Sequence, residues 1–233
     1  MFLSAFGAGK PLADSDPFWS SVQFLQGFNT LTDGTPVDAT LPNAKAGGTV
    51  SFTTTANRWE ISSTQSAGGG KSALATANQN TGQIAASVAI SGQFTFESSI
   101  FISSSYDSVN QSVVQITTGT GNASFVTPSS GATNWKYNYP GLSLPVDFAS
   151  FVTNQWSHFA VTRDASNLIR LFYNGTLIAS YTDTASVSSL RSAFYSRVAG
   201  ALANTFYNDE IRATVGVCRY TASYTPSFPF PTQ

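Results

Sequence analysis

Residues 156–181 read WSHFAVTRDASNLIRLFYNGTLIASY, and their pattern decides the fold class. Asn174-Gly175 stands between two runs of apolar and aromatic residues. Both residues accept the positive φ that a type I′ turn demands, so the pair is a strong hairpin signal. Upstream, Phe159 and Val161 share one phase of a period-two pattern with Ser157, while His158, Ala160 and Thr162 take the other. A turn at 164–167 then gives three successive antiparallel strands.

Outward from this ribbon the same alternation recurs. Phe94, Phe96, Ile100 and Ile102 keep one phase and Thr95, Glu97 and Ser99 the other, which predicts a strand with one face buried. It is expected to pair with 84–90 around Ser91-Gly92. Shorter strands are predicted at 18–28, 50–55, 58–62, 112–118, 134–139 and 206–217, while 187–204 is ambiguous. Within the last of these, Tyr207, Asp209, Ile211, Ala213 and Val215 share a phase, and Glu210 and Arg212 point the other way. Residues 29–48 and the proline-containing tail from Pro226 read as loop and extended chain. Helical periodicity, a fixed repeat and a separating linker are all missing, so the prediction is all-β: one two-sheet antiparallel sandwich over 16–233. Residues 1–15 hold Gly7, Gly9 and Pro11 and read as an arm. Its apolar residues Phe2, Leu3 and Phe6 pack either on their own domain or on a neighbouring subunit.

Composition narrows the function classes. Of 233 residues, 42% are hydrophobic and 13% aromatic, but only 10% are charged, with a net charge of -1. That balance gives no footprint for nucleic acid or an anionic membrane surface. Met1 to Gly9 is too short and interrupted for a secretory signal, and no apolar run approaches a membrane span. The single cysteine, Cys218, excludes an intrachain disulfide and reads as an inert strand thiol beside Val217. Gly68-Gly69-Gly70-Lys71-Ser72 suggests a phosphate loop, but Gln65 stands where that motif needs its first glycine, so a plain glycine turn is expected.

Several blocks together resemble one family. Trp156 to Arg163, the ribbon 168–179, Asp209-Glu210-Ile211-Arg212, and the ending from Gly216 through Arg219-Tyr220-Thr221 to Pro226 are similar to the laminin G-like branch of the concanavalin A-like lectin/glucanase fold. The opening Asp16-Pro17-Phe18-Trp19-Ser20 and the Arg219 to Pro226 ending resemble, more narrowly, the form found in tailed-phage virion proteins. The resemblance implies a jelly-roll sandwich and a virion structural role, as capsid decoration or tail-associated subunit. Its partners would be other virion proteins and host-surface polysaccharide, with a homo-oligomer on the particle. Asn29 departs from an acidic residue usual in the family, and Ser196-Arg197-Val198 from its usual glycines. Relatives often hold a structural calcium near the chain ends. Asp209 matches one half of such a site and Asn29 weakens the other, so no metal or other cofactor is assigned.

Catalysis is not expected. Glu97 has Ser99 and Phe101 at the next same-face positions as the pattern is counted, so no second carboxylate stands beside it as a retaining glycosidase would need. Asp209 and Glu210 are adjacent and, on a regular strand, face opposite sides. His158 has neither a serine elbow nor a second metal-binding histidine. The alternative function is a carbohydrate-binding module reading host envelope glycans. Its candidate stacking residues are Trp59, Tyr106, Trp135, Tyr137 and Tyr139, with a plain core role as the competing reading for the 135–139 stripe.

Overall fold

The computed structural model describes residues 16–37, 44–45, 47–54, 59–75, 81–103, 112–128, 133–196 and 206–231. The arm residues Phe2, Leu3 and Phe6, and Tyr106, lie outside them. After a 3-10 turn at Trp19–Ser21 come the strands β1 (Val22–Gln26), β2 (Thr53–Thr54), β3 (Trp59–Ser62), β4 (Ser72–Ala75) and β5 (Thr81–Ile90). There follow β6 (Phe94–Ile102), β7 (Ser112–Thr118), β8 (Gly121–Val126), β9 (Asn134–Asn138) and β10 (Val146–Ser150). The chain continues with β11 (Trp156–Arg163), β12 (Leu168–Tyr173), β13 (Thr176–Thr182), β14 (Val187–Ser196) and β15 (Phe206–Val215).

These form two antiparallel sheets. One runs β13-β12-β11-β6-β15-β4-β3 with β1 also on β15, the other β10-β9-β8-β7-β14-β5-β2. The predicted ribbon is present: β11, β12 and β13 are consecutive neighbours, and Asn174 and Gly175 take φ of 47° and 78°. Phe159 and Val161 point into the sandwich, where Phe159 lies 4.8 Å from Phe125 and 5.1 Å from Trp135 of the opposite sheet. Each such fully buried ring stabilises by about 1.5–3 kcal/mol over leaving it in water, so this facing of β8 and β9 against β11 holds the layers together.

Four sequence expectations change. The strands β5 and β6 do not pair with each other but belong to different sheets, and residues 91–93 carry the chain across. Such a crossing leaves carbonyls unpaired at the corner, and fully buried Arg163 satisfies them, donating to the oxygens of Ile90 (2.9 Å), Gly92 (2.9 Å) and Ala185 (2.6 Å). The β6 strand is buried along both faces, because the segment 216–231 covers the side carrying Thr95, Glu97 and Ser99. The ambiguous stretch supplies β14, which is central in its sheet. Finally, β15 is not a regular strand: opposite Glu97 to Ser99 it spends one extra residue between Asp209 and Arg212, a β-bulge, with Glu210 at φ 51°.

Candidate functional site

The aromatic stripe is graded. Trp135 is 1% exposed and packed on Phe151, Phe159 and Tyr173; Trp59 is equally buried beside Phe206. A ring with no free face cannot stack on a sugar, so both are core residues and the expectation for them is corrected. Tyr137 on β9 and Tyr139 just past its end are half-buried. Tyr137 and Tyr139 are parallel at 6.1 Å, and Tyr139 is parallel to Tyr181 of β13 at 4.4 Å. This ladder closes the gap between the sheets at the side where β10 and β13 are the outer strands.

A second cluster lies on the opposite face of β6. Glu97, fully buried, accepts from Arg212 Nε at 2.8 Å and from the Tyr220 hydroxyl at 2.8 Å, with His158 Nε2 3.5 Å away. Arg212 also reaches Asp16 at 3.3 Å, and Arg219 grips both oxygens of Asp16 at 2.9 and 2.8 Å. Burial alone would raise the Glu97 carboxyl, but the Arg212 guanidinium and the His158 hydrogen bond win and hold it at about 2. Asp16 is likewise held down: burial opposes, while Arg219, the Phe18 N–H and Arg212 overcome it. Buried charges are tolerated when paired and hydrogen-bonded in this way. Glu97 therefore does have polar partners, supplied by β11, β15 and the C-terminal segment rather than by its own strand. The opening and ending blocks of the sequence are the two halves of one clasp.

The third cluster sits at the bulge. The Asp209 oxygen Oδ2 accepts from the Ser66 hydroxyl (3.1 Å) and the N–H groups of Ala67 (2.9 Å) and Gly68 (3.4 Å), while Oδ1 accepts the Glu210 N–H (2.8 Å). A β-carbon on Gly68 would stand 2.5 Å from Glu210 Oε1, so both carboxyls reach the same glycine loop. The alternation expected of a regular strand fails here because the bulge turns two consecutive side chains to one side. Burial pushes both carboxyls up to about 7, the charge of Asp209 adding to the effect of burial on Glu210. Gly70 packs where a β-carbon would fall 1.9 Å from Asn29 Oδ1, and that oxygen accepts the Lys71 N–H at 2.7 Å. The glycine run is thus a close-packed cradle for Asp209, Glu210 and Asn29, which the sequence shows only as a turn. Calcium does not fit it: Asp209 and Asn29 already spend their oxygens on N–H and O–H donors, and among the described residues no three acidic, His or Cys side chains converge.

The chain matches the family model described as concanavalin A-like lectin/glucanases superfamily over residues 68–208, and it belongs to that family. No curated protein matches it in sequence. Among solved structures it is similar to cellulose induced protein Cip1, with TM-score 0.53 and 11% identity over 70% of this chain and 90% of that one. The Trypanosoma rangeli sialidase in complex with a difluoro sugar gives TM-score 0.56 and 12% identity over 84% of this chain and 30% of the enzyme. The binding domain of botulinum neurotoxin DC in complex with rat synaptotagmin II gives TM-score 0.56 and 9% identity over 84% and 48%. At these identities the likeness is one of fold.

Proposed function

We propose that the chain is a virion structural protein of a tailed phage, a capsid-decoration or tail-associated subunit whose lectin-like sandwich makes protein–protein contacts and presents a face to the host surface. The observation that carries this reading is the clasp. The two blocks that resemble the virion form of the domain, Asp16 to Ser20 and Arg219 to Pro226, meet as one ion-paired unit that ties the domain's start to its end. Function then falls to surfaces. Val146 on β10, Leu177 on β13 and Leu144 in the turn before β10 are exposed apolar residues associated with the outer edges of the two sheets. The solved complex of a similarly folded toxin domain with synaptotagmin II supports a protein-binding use of such a sandwich. Purified particles resolved by mass spectrometry and electron microscopy test the proposal. The chain should be present at a fixed copy number, and deletion of residues 1–15 should leave the domain folded but absent from particles. Unchanged occupancy after that truncation, or absence of the full chain from particles, overturns it.

A carbohydrate-binding role is the second reading, favoured by the half-buried Tyr137–Tyr139–Tyr181 ladder at the side of the sandwich where β10 and β13 are the outer strands. A glycan array with the isolated chain tests it. Binding of one sugar class that is lost in Tyr139→Ala supports it, and a blank array removes it.

A further inference from the structure

The strand β15 keeps β6 along one side, but its other side changes partner. There β4 pairs with Tyr207 and Asn208, and β1 pairs with Ile211 to Thr214. Asp209 and Glu210 fall in the interval between them. Beside this interval is a cavity of about 130 Å³, lined by Leu25, Phe28, Ala44, Pro229 and Phe230 among others, with Glu210 supplying its carboxyl. Glu210 is 2% exposed. Its Oε2 accepts the Phe230 N–H at 2.8 Å, while Oε1 accepts no hydrogen bond among the described residues. Two non-glycine residues of the lining, Phe28 (φ 59°) and Glu210, hold left-handed backbone, a strain that gathers at functional sites.

We propose that this cavity binds an alkylammonium group, with the charged head on Glu210 Oε1 and the alkyl stem among Phe28, Pro229 and Phe230. The charge argues for a cation, since Asp209 adds a second carboxyl beside Glu210 and Arg212 is already taken up by Glu97 and Asp16. A guanidinium would want both oxygens of a carboxylate, and Oε2 is occupied. A divalent metal would want several oxygens where the walls are largely apolar. An ammonium needs one oxygen, and the Phe230 ring, which already carries the Arg212 guanidinium 3.8 Å from its centroid, is left to the alkyl stem. At about 30 Å³ per water, the space is that of roughly four waters, the scale of a short alkyl stem. A free amine and a lysine side chain of another protein share this chemistry.

The test is a titration of n-butylammonium chloride into the ¹⁵N-labelled full chain, read at the Phe230 amide that donates to Glu210. A saturable shift is expected, about tenfold or more weaker for neutral n-butanol and for Glu210→Gln, which keeps the shape of the side chain. Ala44→Phe fills the cavity's exposed wall without touching the carboxyl and should abolish the shift, which keeps the test decisive should Glu210→Gln fail to fold. Affinity should rise between pH 6 and 8 as Glu210 ionises among Asp209, Arg212 and Glu97. N-acetyl-lysine methylamide separates the sources: binding equal to that of n-butylammonium indicates a lysine side chain, and binding of the free amine alone indicates a small metabolite. An equal shift with n-butanol, an unchanged affinity in Glu210→Gln, or saturation by calcium chloride with none by n-butylammonium overturns the proposal.

Discussion

Replacing Arg163 with methionine removes a guanidinium that donates to three backbone carbonyls at the corner between the sheets. Methionine keeps most of the aliphatic stem, so packing against Phe94, whose ring centroid lies 5.3 Å from the guanidinium carbon, is largely retained. What is lost is the donors. At about 1 kcal/mol or slightly more for each buried carbonyl left unsatisfied, and with some relief from no longer burying a charge, the net loss is about 3 kcal/mol. Arg163→Lys keeps the charge, but an ammonium on a single stem cannot span three acceptors lying in different directions, so it should lose about half as much. Urea unfolding followed by tryptophan fluorescence and circular dichroism measures this. With a slope near 3 kcal/mol/M for a chain of this size, the midpoint should fall by about 1 M at unchanged slope. A loss below about 1 kcal/mol for Arg163→Met, or a lysine variant no better than methionine, would refute the assignment of Arg163 as the group that satisfies the crossing.

Stability should peak at about pH 4 and fall on both sides. Glu97 is held at about 2 when folded, below its ordinary 4.5, so its contribution is present above pH 4.5 and lost as pH falls towards 2. Asp209 and Glu210 are raised to about 7, so theirs is complete below pH 4 and lost as pH rises through 7. Chemical unfolding across pH 2–9 checks the shape; Glu210→Gln should flatten only the alkaline side, and a profile unchanged by it would count against the shared burial of the pair. Gly175→Ala should cost at least about 2 kcal/mol, because φ is 78° and the new β-carbon would stand 1.9 Å from the Tyr224 carbonyl oxygen, displacing the C-terminal segment. Gly92→Ala, with nothing within 4 Å, should stay within about 0.5 kcal/mol when both variants are compared by urea unfolding, and equal costs would contradict the packing. Leu144→Asp and Leu177→Asp should leave the melting temperature unchanged while lowering occupancy on particles; normal occupancy in both would move the contact surface elsewhere.

The sequence made the central ribbon legible because its turn chemistry and alternation agree, and β6, β7 and most of β9 likewise follow their period. Pairing was less legible. Ser91-Gly92 has hairpin chemistry, yet the connection crosses between sheets, and the only signal for that is a buried arginine 71 residues away. The 135–139 stripe was visible as a stripe, but its depth was not: periodicity gives the face of a strand, while the distance of each position from the sandwich edge decides whether Trp135 is core and Tyr139 rim. Asp16, Arg212 and Arg219 stood out only as members of the blocks that carry the family resemblance, and their pairing was not legible, since ion pairs spanning 196 and 203 positions leave no local trace.

The bulge at Asp209–Glu210 changes the argument about chemistry rather than only a register. Adjacent residues on a regular strand cannot make a working pair, and that was the ground for setting these carboxyls aside. The bulge removes that ground by turning both to the glycine cradle, so what separates them from an acid and nucleophile is their hydrogen bonding. A glycosidase pair needs one carboxyl to hold a proton for a leaving group and the other to stay free for the sugar. Asp209 instead accepts from Ser66, Ala67, Gly68 and the Glu210 N–H, and Glu97 is enclosed by Arg212, Tyr220 and His158. Of these three carboxyls, Glu210 keeps an oxygen that accepts no hydrogen bond among the described residues, an arrangement suited to holding a ligand rather than to sharing a bond-breaking step with Asp209 or Glu97.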